Sequence, residues 1–392
     1  MLSFLLSAGL FCLVITSWLV IVTILRAVYN FIFYLLVRYL GPRLVAITRL
    51  VYVYYFVNGD AVGWLDKLHV EYGDVVRVEP GRLSYIIPQA WKDIYGYATA
   101  IRKVNSKERK NSKNLFSNGS YSISSAHVCR KISSEKNSPG AAVMDLFNFA
   151  TFDIMADLAF GEALGCLENG GSNAWVDAAA AVHVQSSHER VTKRLAKGAD
   201  ARNDIWGLVL KAEGPNALTR TEMNNNANNF MIVGTETSAT ALSALTYFLL
   251  KSLRKLERLV RELKGDVLKD LPYLQACLTE CLRLYPPVPT GGMRVIGEGG
   301  NTILGHLLPE DTKMSIATWT AFRIPRYWKD GNEFIPERWI LGERGVFQVF
   351  GTGPRACIGK NLALQEMRLL YATFLFYFDM ELCPESDRWM ED

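Results

Sequence analysis

Phe350-Gly351-Thr352-Gly353-Pro354-Arg355-Ala356-Cys357-Ile358-Gly359 leads directly into an apolar stretch, residues 361–377, with helical spacing. Glycines allow a backbone to approach a flat ligand closely, and an arginine among them can pair with an anionic group. A cysteine just before a helix start is favoured as thiolate. None of the other cysteines among the seven in the chain has such neighbours. Two plainer readings compete. One is an ordinary loop that contains a cysteine. The other is a dinucleotide fingerprint, because Gly351, Gly353 and Ala356 match GxGxxA. That fingerprint belongs inside a βαβ unit with an acidic residue about twenty positions on. Here the segment that follows reads as one helix.

Working outward, Glu280-Cys281-Leu282-Arg283 places opposite charges one turn apart on one helix face, and Pro286 closes that helix. Alone it reads as a surface ion pair. Phe334-Ile335-Pro336-Glu337-Arg338-Trp339 follows, and Arg294 lies between the two in "GGMRV". Further upstream, Val233-Gly234-Thr235-Glu236-Thr237-Ser238 sits inside a long helical pattern. A threonine beside a buried acid is an odd choice for a helix interior, since its hydroxyl competes for backbone carbonyls. Without its neighbours the segment reads equally well as plain helix surface.

Taken together and in this order, the four segments resemble the cytochrome P-450 family. Phe350, Gly353, Arg355, Cys357 and Gly359 fill every fixed position of FxxGxRxCxG. The resemblance implies that Cys357 is the axial thiolate of haem b and the metal ligand, a ligand that favours O–O cleavage. It gives Arg355 and Arg294 the haem propionates, and Phe350 the shielding of the sulfur. It makes Glu280, Arg283 and Arg338 a structural charge triad. Glu236 and Thr237 become the catalytic proton relay beside a groove for dioxygen. His127 and Arg130, in "HVCRK", stand where the family offers further propionate contacts, with Lys131 at a position usually held by arginine. The segments "YGDVVRVEPGRLSYIIPQAWKDIYG", "FATFDIMADLAFGEALGCLE" and "LRLYPPVPTGGMRV" are similar to fungal secondary-metabolite members such as trichothecene-type hydroxylases. Such enzymes hydroxylate or epoxidise apolar terpenoid or polyketide molecules. Their electrons come from an NADPH-dependent cytochrome P-450 reductase in the endoplasmic reticulum membrane.

The N-terminus fits that setting. Leu2 to Leu25 is uncharged and apolar, a helix of about 36 Å against a hydrocarbon core of about 30 Å. A cleaved signal peptide needs a basic start and a shorter apolar core, so a retained anchor is favoured. Arg26, Arg38, Arg43 and Arg49 all follow the segment, which places the body in the cytosol in a single-pass topology. A second apolar stretch, Val28 to Val37, either lies along the membrane or prolongs the anchor.

Hydrophobic residues make up 49% of the 392, charged residues 21%, and the net charge is only +4. This fits a globular body with an added apolar segment and gives no sign of a nucleic-acid partner. The odd, scattered cysteines carry no paired zinc-type spacing, and most read as small buried hydrophobes in a reducing compartment.

The expected fold is mainly α with a small β region: residues 1–40 as membrane anchor, residues 41–392 as a haem-binding monooxygenase domain. "YGDVVRVEPGRLSYII" (72–87) predicts two strands around a Pro-Gly turn, forming a small antiparallel sheet. Helices are expected over Met144–Phe160, Glu222–Leu250, Lys251–Lys264, Leu271–Tyr285 and Asn361–Tyr377. The chain is shorter than a full-length family member, with losses after Ser134 and between Glu168 and Glu222, where the family roofs its substrate cavity. A second reading therefore stays open: a non-catalytic haem protein derived from the same family.

Overall fold

The computed structural model describes residues 2–96, 143–168, 183–198, 204–211, 217–264, 271–342 and 345–390. It divides into two compact units. One comprises Met1–Arg102, Val288–Gly331 and Gly345–Ala356; the other comprises Lys103–Pro287, Asn332–Arg344 and Cys357–Asp392. In chain order the elements named below are α1 (Leu2–Val28), α2 (Arg43–Ile47), α3 (Leu50–Val57), α4 (Ala61–Tyr72), β1 (Val75–Glu79), β2 (Arg82–Tyr85) and α5 (Pro88–Tyr95). Then come α6 (Val143–Phe160), α7 (His183–Ala196), α8 (Arg220–Leu250), α9 (Leu253–Leu263) and α10 (Pro272–Leu284). The chain continues through β3 (Arg294–Val295), β4 (Asn301–Ile303), β5 (His306–Leu308), β6 (Lys313–Ile316), α11 (Glu337–Ile340) and α12 (Lys360–Tyr377).

In the first unit, α1 presents large apolar side chains on every face: Phe11, Trp18 and Leu25 are 66, 62 and 62% exposed. A helix apolar all round belongs in a core or a bilayer, and this one is long and apolar enough to cross a membrane. The second apolar stretch prolongs it by a π-helical turn, Tyr29–Phe33. Tyr34 then turns the chain into an extended conformation (φ −69°, ψ 139°). β1 and β2 form the expected antiparallel hairpin, with Val75 opposite Tyr85 and a bulge between Arg77 and Glu79. The sheet as a whole departs from the expectation. Its strand order is β1-β2-β6-β3, and β2 pairs with β6 in parallel, Arg82 against Lys313. A parallel partner must arrive by a long crossover, and β6 comes more than two hundred residues later, beyond the reach of local pattern. The core against this sheet is built from Leu83, Tyr85, Met314 and Ile316 with Trp91, Ile94 and Phe322. Burying each such side chain contributes about 1.5–3 kcal/mol.

The second unit is helical, and its five predicted helices begin and end within two residues of expectation. α8 starts at Arg220 because Thr219 and Glu222 form a reciprocal capping box: the Glu222 N–H donates to the Thr219 hydroxyl (3.3 Å), and the Thr219 N–H donates to Glu222 Oε2 (2.7 Å). Small residues such as Ala227, Ala239, Ala241 and Ala244 line the buried side of α8. α6 packs so closely that a Cβ on Gly234 would lie 2.6 Å from the Met155 thioether. α10 opens on Pro272, and the first-turn N–H groups of Tyr273 and Leu274 donate to the Glu262 carboxylate at 2.8 and 2.9 Å. The last turn of α7 carries Arg194, whose guanidinium donates from Nε and Nη2 to Asp204 at 2.6 and 2.7 Å; both side chains are almost wholly buried. Asp204 also accepts from the Gly207 N–H at 2.9 Å and so caps the short helix Ile205–Val209.

Candidate functional site

In the first unit, the glycine loop is shaped by two residues in left-handed backbone: Gly351 and Gly353 both have φ 69°. Only glycine adopts this freely. A Cβ on Gly353 would also stand 1.9 Å from the carbonyl oxygen of Tyr95. The close approach that Gly353 permits is thus to the chain's own backbone at the end of α5. A 3-10 turn, Gly353–Arg355, follows, leaving Arg355 exposed and Phe350 half-buried.

Tyr95 organises the same corner. Its hydroxyl donates to the Gly292 carbonyl at 2.7 Å and accepts from the Ile316 N–H at 3.3 Å, while its ring lies under the Arg294 guanidinium, 4.8 Å from centroid to Cζ. Arg294 Nη1 donates to the neighbouring Met293 carbonyl at 2.9 Å, but its buried Nε has no hydrogen-bond partner. Burial lowers the Arg294 pKa, the Tyr95 hydroxyl opposes that, and the positive charge of Arg355 lowers it further. Two cations that repel each other, one with an orphaned N–H, make a corner suited to an anionic group.

In the second unit, Cys357 is exposed and in no disulfide among the described residues. Gly359 is the N-cap of α12, and a Cβ there would meet nothing within 4 Å. The structure brings Glu280, Arg283 and Arg338 into contact. Glu280 is fully buried, with Arg283 Nε and Nη2 donating to its two oxygens at 2.9 and 2.8 Å, and Arg338 Nε donating at 3.0 Å. The carboxylate also accepts from the Ile335 N–H (2.9 Å) and from Trp339 Nε1 (2.8 Å). Arg283 further donates to the Glu333 carbonyl at 3.1 Å. Glu280 and Arg283 between them therefore hold the 333–339 segment against α10.

On α8, Glu236 is exposed among the described residues, where the sequence suggested a buried acid; Thr237 is half-buried and its hydroxyl donates to the Val233 carbonyl at 2.8 Å. The next residue, Ser238, is buried and donates to Glu366 Oε2 on α12 at 3.2 Å. Glu366 is 3% exposed, its Oε1 has no partner, and burial pushes its carboxyl up to about 8. The buried acid next to the motif is thus Glu366, nine residues after Cys357. His127 and Arg130 lie outside the described residues.

A sequence model of the family described as cytochrome P-450 matches residues 176–392. The cytochrome P-450 monooxygenase FUM2 of Gibberella moniliformis is 35% identical, over 93% of this chain and 95% of that protein. This chain belongs to the cytochrome P-450 family. Further relatives are the cytochrome P-450 monooxygenases AMT3 of Alternaria alternata, 33% identical over 93% of this chain and 92% of its own, and efuB of Hormonema carpetanum, 34% identical over 89% and 87%. The match to FUM2 runs over 449 positions against 392 residues here, so this cytochrome P-450 is shortened by segments internal to the match.

Cytochrome P-450 membership makes this chain an oxidoreductase of the monooxygenase type and implies a haem-thiolate cofactor. The residues present fit that group. Cys357 is exposed and joined to no disulfide among the described residues, a thiol that can serve as a metal ligand, and the orphaned Nε of Arg294 beside Arg355 suits the carboxylates that haem carries. Two residues with evident roles escaped the sequence reading. Tyr95 supports Arg294 from a distant segment, and nothing in its local sequence marks it. Glu366 left a signal: it interrupts the apolar stripe Leu362–Glu366–Leu370 at helical spacing, where a charge is out of place.

Proposed function

We propose that this cytochrome P-450 inserts one atom of dioxygen into an apolar small molecule, a terpenoid or polyketide secondary metabolite, using electrons from an NADPH-dependent reductase. Residues 1–40 are the membrane anchor, and residues 41–392 form the haem-binding domain on the cytosolic face of the endoplasmic reticulum. Haem, when bound, supplies the iron centre at which dioxygen is activated.

The protein's own residues take these parts. Cys357 would ligate the haem iron through its thiolate, with Phe350 shielding the sulfur and Gly353 and Gly359 giving the loop its shape and room. Arg355 and Arg294 hold the propionates, joined by His127 and Arg130. Glu236 and Thr237 pass protons toward the oxygen groove. Glu280, Arg283 and Arg338 fix the loop behind the cofactor and touch no substrate.

The observation that carries this reading is Cys357 itself: an exposed cysteine in no disulfide among the described residues, at the one fixed cysteine position of the family motif, three residues before α12. The test is the carbon monoxide difference spectrum of the reduced protein in microsomes, with Cys357→Ala alongside. A Soret band at the position of thiolate-ligated haem that disappears in the variant is the expected result. A band typical of nitrogen-ligated haem, or no band, would overturn the reading in favour of a non-catalytic derivative of the family.

A further inference from the structure

Arg26 is the first charged residue after the uncharged run from Leu2, so in a membrane-anchored chain it marks the level of the lipid headgroups. At that level a cavity of about 430 Å³ opens within the first unit. Its walls are the end of α1 (Thr23, Arg26), the π-helical turn that follows it (Asn30), the joint between α2 and α3 (Thr48, Arg49) and the β1–β2 turn with Lys313 of β6. Two acids also face it. Glu79 is held by Arg82 at 3.1 Å, which leaves Asp311 against the three cations Arg26, Arg49 and Lys313.

A second, independent feature lies just behind these walls. Arg77 is buried (3% exposed), donates from Nη2 to the carbonyls of Asn30 (3.1 Å) and Pro80 (2.8 Å), and lies 5.5 Å over the Tyr34 ring. No carboxylate pairs with it among the described residues, and burial lowers its pKa. Arg77 thus pins two walls of the cavity together while its charge lacks a counter-ion, a costly state that a nearby anion would relieve. Around the joint, Leu44, Leu50, Phe56 and Val57 are 62 to 75% exposed, an apolar surface of the kind that meets lipid.

We propose that this cavity binds the phosphate of an anionic phospholipid headgroup, held by Arg26, Arg49 and Lys313 in front of the buried Arg77. The proposal rests on the reading of α1 as a membrane anchor. Headgroup capture at this point ties the hairpin to the bilayer surface and makes membrane association depend on lipid charge.

The test uses the full chain reconstituted in vesicles of phosphatidylcholine with or without phosphatidylserine, then taken into mild detergent and analysed by native mass spectrometry. The expected result is one retained phosphatidylserine per wild-type chain and about tenfold less in the combined Arg26→Gln, Arg49→Gln, Lys313→Gln variant. Arg26→Lys with Arg49→Lys should restore retention. All three cations lie outside the buried core, so the thermal unfolding midpoint should not move, and that measurement guards against misfolding. Equal retention by the neutralised variant would overturn the proposal. So would displacement of the lipid by excess inorganic phosphate, which would make this a free-anion site. Alkaline extraction separates the two readings: release from the vesicles overturns the anchor itself, whereas a chain that stays bound with unchanged retention overturns the headgroup site alone.

Discussion

The Ser238 hydroxyl donates to Glu366 Oε2 across 3.2 Å, joining the helix that carries the acid-threonine motif to the helix that follows Cys357. Nothing else described bonds to Glu366, and burial holds its carboxyl neutral at physiological pH. The contact is therefore that of a hydroxyl with a carboxylic acid.

A pH dependence follows. Glu366 releases its proton near 4.5 when unfolded and at about 8 when folded. Between these values the folded chain holds a proton that the unfolded chain has lost, so this residue's contribution to stability declines as pH rises from about 4.5 to about 8, then levels off. Glu366→Gln removes the titration while keeping the shape. Its melting temperature should fall less across that window than that of the wild type; identical slopes would show that Glu366 titrates normally.

Removing the carboxylate of Glu280 leaves Arg283 and Arg338 buried without a counter-charge. Glu280→Ala should cost about 3–5 kcal/mol, a large share of the stability of a typical domain. Trp339→Phe removes only one donor to the same carboxylate and should cost about 1–3 kcal/mol. Denaturant unfolding of both variants checks the ranking, and an equal cost would mean that the indole carries more of the segment than its single bond indicates.

The Arg194–Asp204 pair invites a double-mutant cycle. Arg194→Met alone strands a buried carboxylate and should destabilise by about 3–5 kcal/mol, whereas Arg194→Met with Asp204→Leu should recover much of the loss. Failure of the double variant to recover would indicate that the capping bond from the Gly207 N–H to Asp204 matters more than the ion pair.

Gly353 and Gly359 should respond differently to an added Cβ. Gly353→Ala combines a left-handed backbone with a Cβ driven into the Tyr95 carbonyl, and should cost about 1–3 kcal/mol or more in unfolding experiments. Gly359→Ala meets open space, so its unfolding midpoint should match the wild type. Any loss of haem content in Gly359→Ala then reports the space that the cofactor itself requires.

Much of this was legible in the sequence because it is local. Helices with strong periodicity and clear caps, such as α8 behind its Thr219–Glu222 box, are specified by neighbouring residues. The triad was legible for another reason: ExxR fixes two charges on one face, and Pro-Glu-Arg-Trp supplies a third partner in a recognisable segment. What escaped depends on distant partners. The parallel pairing of β2 with β6, the support of Arg294 by Tyr95 and the bond between Ser238 and Glu366 each join residues more than a hundred positions apart. Arg194 and Asp204 are only ten apart, yet nothing in the local sequence marks them, since burial is what distinguishes them.

The bond from Arg77 to the Asn30 carbonyl bears on where the apolar helix α1 can be removed from this protein. Trimming the chain at the end of its apolar run, just after Leu25, keeps Asn30 and with it the brace between the π-helical turn and the β1–β2 hairpin. Trimming at Gly41, the natural-looking linker, deletes that acceptor along with Tyr34, and leaves a buried guanidinium facing solvent on one side. The longer form is the one to crystallise.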